Sequence, residues 1–185
     1  MNIFSKIRVK IVQLLAHSTR HRSLIQQNFY DGWHVRVGKQ IQKLISNSDV
    51  ECWLPDFECS GIKIVRQNGI TYKMFPSWIF PKKGSLKLPI VRRFGIEFSI
   101  SLLNNIKKLS KDGHVILHIH GYTYPLTYII CSIFKDIPLV IQDHGGEFTF
   151  RPLDLIVSRN ADHIFVLSEK KYHYLLNELG ISKDK

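Results

Sequence analysis

The chain has 185 residues, enough for one domain with a sizeable core, and its 44% hydrophobic and 22% charged residues are globular proportions that exclude a disordered chain. Its 26 Lys and Arg against 15 Asp and Glu leave a net charge of +11. That surplus suits an anionic partner (nucleic acid, anionic lipid or the phosphates of a nucleotide-sugar) or simply a solvated lysine-rich surface.

In chain order, Val9 to Leu15 (VKIVQLL) reads as a first buried strand, and His17 to Asp31 as a long polar loop. Trp33 to Ser46 reads as a helix, with Val37, Ile41, Leu44 and Ile45 at helical spacing. Val50 to Leu54 is a short strand that Pro55 should stop. Two strands, Ile62 to Arg66 and Ile70 to Phe75, flank Asn68-Gly69, a strong hairpin signal. The stretch from Pro81 to Arg93 is the densest in basic residues and reads as a loop leading into a long amphipathic helix, Ile90 to Leu109. A buried strand Val115 to Ile119, a helix Leu126 to Phe134, a strand Leu139 to Gln142 and a short helix Leu153 to Arg159 follow. The chain closes with a strand His163 to Leu167 and a helix Glu169 to Leu179, ended by Gly180.

From residue 90 onward helices and strands alternate, which predicts an α/β fold: a Rossmann-like parallel sheet with helices on both faces. In such sheets ligands sit beyond the carboxyl ends of the strands. The loops to inspect therefore follow Leu15, Ile119, Gln142 and Leu167. The first holds His17, Arg20, His21 and Arg22, and ends in Tyr30-Asp31-Gly32-Trp33-His34. Gly32 lies just before a helix, where free N–H groups favour a phosphate; a plain turn glycine is the alternative. In the second, His118 and His120 share one strand face. They could be metal ligands, but no third ligand stands at a fixed spacing, so one packed in the sheet and one at its rim is the simpler reading. The third is Gln142-Asp143-His144-Gly145-Gly146-Glu147-Phe148, whose glycines admit close backbone approach and whose His144 is placed to meet a sugar hydroxyl or donor oxygen. In the fourth, Ser168 fits an N-cap and Glu169 follows it, a structural pair.

No GxSxG, HExxH, Walker A or GxGxxG pattern occurs, so serine, cysteine and metal hydrolases have no support. Three cysteines, Cys52, Cys59 and Cys131, with no CxxC pair, argue against a disulfide framework or zinc knuckle and fit a reducing cytosol. The apolar run 11–16 is too short for a signal segment and 125–134 is about half a membrane span, so any membrane contact would be peripheral and electrostatic.

Three segments together resemble the N-terminal, acceptor-side domain of glycosyltransferase family 4, which has the GT-B fold. They are VILHIHGYTYP (115–125), IPLVIQDHGGEF (137–148) and RNADHIFVLSEKKYHYLLNELGISKDK (159–185). The match is good from about residue 110 onward, loose over the first 60 residues and nearly absent over 76–90. The resemblance implies a retaining, nucleotide-sugar-dependent transferase acting in the cytoplasm on a glycan or lipid-linked acceptor. It implies no cofactor and no nucleic acid. It casts residues 1–185 as one Rossmann-like domain, with nucleotide binding left to a separate C-terminal domain that the family carries beyond the position of Lys185. Without that domain the chain is expected to be inactive. By the same resemblance His144 touches the transferred sugar. Gly32 keeps part of the family's phosphate loop. His120, Gly121, Tyr122, Gly145 and Gly146 line the cleft, and Glu147 and Arg151 face the acceptor.

The rival reading is a non-catalytic basic α/β module for nucleic acid or a membrane surface. Its support is the charge and a loose aromatic-basic cluster, Tyr72, Phe75, Trp78 and Phe80 near Lys82 and Lys83.

Overall fold

A computed structural model describes residues 8–16, 32–80, 96–144 and 149–185. The expectations for the His17–Asp31 loop, the Pro81–Arg93 loop, Ile90, Phe94, Gly145, Gly146 and Glu147 fall outside these residues.

Strands β1 (Val9–Leu15), β2 (Ser48–Asp56), β3 (Lys63–Gln67), β4 (Ile70–Pro76), β7 (Val115–His120), β8 (Leu139–Gln142) and β9 (His163–Phe165) form one sheet in the order β3-β4-β2-β1-β7-β8-β9. Only the β3–β4 pair is antiparallel. It is the hairpin announced by Asn68-Gly69, whose φ values of 53° and 79° suit a two-residue turn needing positive φ at both positions. β2 continues through Pro55, contrary to expectation. Its pairing with β1 ends at Trp53, so the last residues of β2 have β4 on one side only, and a missing N–H is tolerated there.

The period of two along each strand divides the core between two faces. On the front face, Ile11, Leu15, Val50, Cys52, Leu54 and Ile70 pack under helix α1 (Trp33–Leu44) through Val35. On the back face, Val12, Leu14, Trp53, Leu117, Ile119 and Ile141 pack under α2 (Ile100–Ser110), α3 (Pro125–Ile133), α4 (Arg151–Asn160) and α5 (Glu169–His173). The expected parallel sheet with helices on both faces is therefore present. The chain leaves β1 toward β2 with its helix in front, and leaves β7 toward β8 and β9 with its helices behind. The reversal of direction falls between β1 and β7, the place where open α/β sheets form a crevice.

The long helix expected from Ile90 is shorter. Residues Ile96–Phe98 form β6, paired antiparallel with β5 (Trp78–Phe80), and Ser99 starts α2 by accepting a hydrogen bond from the Leu102 N–H at 3.3 Å. Ser99 also donates to the Pro76 carbonyl at 2.7 Å, which fixes the ribbon's end to the sheet. At the C-terminal end α5 runs into a π-helical turn, Tyr174–Glu178, before Gly180 at φ 66°.

Candidate functional site at the crevice between β1 and β7

His118 and His120 project from the front face of β7, as their alternation requires, with ring centroids 4.1 Å apart. The His144 ring, just past the end of β8, stacks on His120 at 5.6 Å. Three imidazoles thus line up from the sheet floor to its C-terminal edge. His144 is exposed at the outer end of the row. His120, expected at the rim, is only 1% exposed and is more buried than His118 at 8%. The stacked His144 ring is the physical reason. A direct contact from His120 to a substrate would require His144 to move aside.

Gln142 lies in the same row as His120 and hydrogen-bonds the His118 side chain. Burial pushes the His118 imidazole down to about 4, and the Gln142 bond only partly offsets this. His144 is also lowered by burial, against the pull of Asp143 in the other direction. Burial thus disfavours the charged form of both His118 and His144, the two ends of the row. Among the described residues no group of three or more His, Cys, Asp or Glu is arranged to hold a metal ion.

The depressed His118 has a consequence for stability. Its ordinary value of 6.5 belongs to the unfolded chain, which takes up a proton before the folded one does. Stability should therefore fall as pH drops from about 6.5 toward 4, by about 2–3 kcal/mol for this group. His118→Gln should flatten that part of a urea-denaturation profile. An unchanged slope would mean that another group carries it.

Gly121 closes the strand at φ 114°, and its N–H donates to the Gln142 carbonyl at 2.9 Å. A Cβ there would collide with the Tyr124 ring. Gly121→Ala should cost about 2 kcal/mol or more in thermal or chemical unfolding, because both the backbone region and the space exclude it. Tyr122, expected among the cleft residues, is fully buried on the back side. Its hydroxyl lies 2.7 Å from Ser158 Oγ and donates to the Asp154 carbonyl at 3.1 Å. With that hydroxyl spent inside the protein, Tyr122 is a packing residue.

Gly32 caps α1 with extended backbone, and no side chain bonds the cap. Its carbonyl accepts from the Val35 N–H at 3.0 Å. The α1 N-terminus stands at the same C-terminal edge of the sheet as His120, since α1 descends from that edge after β1. Arg151 opens α4 and is exposed, near enough to Tyr174 to counter part of the upward shift of its phenol. No described contact joins Arg151 to the histidine row.

Gln13 was not singled out from sequence. It is the register partner of His118 on the front face, is completely buried, and neither of its amide atoms has a hydrogen-bond partner. A Cβ on Gly38 would lie 2.5 Å from Gln13 Nε2, so α1 rests its backbone directly on this side chain. The available signal was a lone amide in the otherwise apolar stretch IVQLL.

No family model matches the chain, and no curated protein sequence matches it. A solved structure of sucrose-phosphate synthase from Thermosynechococcus elongatus superposes with a TM-score of 0.46 at 14% identity, covering 94% of this chain and 83% of that one.

Proposed function

We propose that the chain is the acceptor-side half of a retaining, metal-independent glycosyltransferase that moves a sugar from a nucleotide-sugar to a glycan or lipid-linked acceptor. The observation that carries this reading is the row of stacked imidazoles ending in exposed His144 beside the β1/β7 reversal. Uncharged donors and acceptors at a strand-end crevice suit sugar hydroxyls. The N-terminus of α1 at Gly32, where no side chain supplies the cap, carries the positive end of the helix dipole and suits the donor's diphosphate. Gly145, Gly146 and Glu147 follow His144 in sequence and complete the cleft in this reading, with Arg151 on the acceptor side. Catalytic electrostatics in such a cleft arise on closure against a nucleotide-binding domain, in the same polypeptide or a partner.

The test is a transfer assay on this chain joined to its donor-binding domain, with a panel of nucleotide-sugars and mass spectrometry of the acceptor. Consumption of one nucleotide-sugar with a matching mass gain on the acceptor is the expected result. If the two-domain protein consumes none of them, the reading fails. The rival, a non-catalytic basic module for nucleic acid or a membrane surface, loses half of its aromatic cluster as a stacking platform for single strands. Tyr72 and Phe75 are core residues with no exposed surface, which leaves only Trp78 and Phe80 available.

A further inference from the structure

The alternation that sets His118 and His120 in front of the sheet continues at the end of β8. Leu139 and Ile141 point into the back core, Gln142 points forward, and Asp143 turns back again. Asp143 is still held as a strand residue, because its N–H donates to the Phe165 carbonyl at 2.7 Å. Its side chain is therefore buried behind the sheet, while the next residue, His144, lays its ring on His120 in front. Two consecutive residues thus join the front crevice to the polar cluster behind it.

That cluster contains one buried cation. Lys171, in the first turn of α5, is 3% exposed, and its Nζ lies 4.3 Å from the Tyr122 centroid and 5.1 Å from that of Tyr174. A buried ammonium is costly unless an anion stands beside it. Two carboxylates act on this one, Asp154 and Asp143. Asp154 already accepts from the Tyr128 and Tyr174 hydroxyls and from the Phe150 N–H. Asp143 acts on Lys171 from one side and on His144 from the other. The cluster therefore ties down both residues that flank the sequence carrying His144: Asp143 through the ammonium, and Phe150 through its 2.8 Å bond to Asp154 Oδ2.

We infer that Lys171 is a positioning residue for His144: its buried ammonium fixes the Asp143 carboxylate, and the backbone carries that restraint one residue further, to the ring stacked on His120. A neutral side chain of similar length would pack between Tyr122 and Tyr174, but it would take from buried Asp143 the cation that offsets its desolvation. The carboxylate would then turn toward water, and His144 would turn with it. The titratable groups facing Lys171 are Tyr122, Tyr174, Asp154 and Asp143. Those facing His144 are His120, His118 and Asp143.

The experiment is proton–carbon NMR of the imidazoles in the whole 185-residue chain, with the His144 signals assigned from a His144→Gln variant. The parent should show a cross-peak between the His120 and His144 rings, whose centroids are 5.6 Å apart. Lys171→Met and Asp143→Asn should each lose it. In Lys171→Met the titration midpoint of His144 should also rise, by about half a pH unit or more. Both losses act in that direction, since a nearby positive charge disappears and the ring gains water. Tyr128→Phe is the control for stability alone. It removes one hydrogen bond from Asp154 and should lower the melting temperature while leaving the cross-peak and the His144 midpoint in place. Retention of the cross-peak in Lys171→Met or Asp143→Asn would overturn the inference, as would an unmoved midpoint in Lys171→Met or loss of the cross-peak in Tyr128→Phe. Should Lys171→Met not fold, Asp143→Asn decides alone, because it leaves the Asp154 half of the cluster intact. The importance of this restraint for sugar transfer rests on the proposed function, but the NMR samples contain no nucleotide-sugar, so either reading can fail without the other.

Discussion

Asp154→Ala should lower the unfolding free energy by about 4 kcal/mol, the largest stability loss expected of any single substitution near the site. Asp154 is completely buried. Its Oδ1 accepts from the Tyr128 hydroxyl at 3.2 Å, and its Oδ2 from the Tyr174 hydroxyl at 2.9 Å and the Phe150 N–H at 2.8 Å. Buried Lys171 lies over the Tyr122 and Tyr174 rings, its Nζ 4.3 Å and 5.1 Å from their centroids. Burial lowers the Lys171 ammonium, while Asp154 and then Asp143 pull it back toward the charged form. Alanine would leave two phenols and one N–H without an acceptor, at about 1–3 kcal/mol each, and would take one of two anions from the buried cation. An asparagine side chain at this position retains an acceptor oxygen but turns an NH₂ toward a donor, so Asp154→Asn should recover about half of the loss. Urea denaturation followed by circular dichroism gives the comparison. A loss below about 1 kcal/mol for alanine would mean that the cluster rearranges around the gap and does not hold α3, α4 and α5 together.

This cluster illustrates which features the sequence made legible. Tyr122, Tyr128, Asp154, Lys171 and Tyr174 come from separate stretches and meet only through packing behind the sheet. No local period or motif signals such a meeting. Features written in short-range chemistry were readable: the Asn68-Gly69 hairpin, the alternation that sets His118 and His120 on one face, and the Ser168 cap, whose Oγ accepts from the Lys171 N–H at 3.3 Å. Where two readings of one stretch competed, the longer-range contact won. Phe98 fits the four-residue spacing of a helix, yet it joins β6 because Trp78 pairs with it and Ser99 caps the helix one residue later. Pro55 breaks an isolated strand but not the unflanked end of one. The depth of His120 depended on a ring from another strand end, His144, which no spacing within 115–125 could foretell.

Under the proposed function, with the chain joined to a donor-binding domain, His144→Ala should lower turnover by ~100-fold while acceptor affinity changes little. His144 is the exposed end of the imidazole row, and partial desolvation shifts its imidazole toward the neutral form against the pull of Asp143. A hydrogen bond to the reacting sugar strengthens as charge develops in the transition state, and loss of one such preorganised donor costs on the order of 3 kcal/mol. His118 is the internal control, since it is buried, bonded to Gln142 and two rings away from the edge. His118→Ala should lower the melting temperature and leave turnover per folded molecule nearly unchanged. His120→Ala lies between them. It removes the ring on which His144 stacks, so it should lower turnover partly, through the freedom it gives His144, and lower stability partly, through the space it opens. Turnover and melting temperature of the three variants, measured side by side, separate contact from support. Intact turnover in His144→Ala, or the same pattern in His118→Ala, would remove His144 from the reacting sugar.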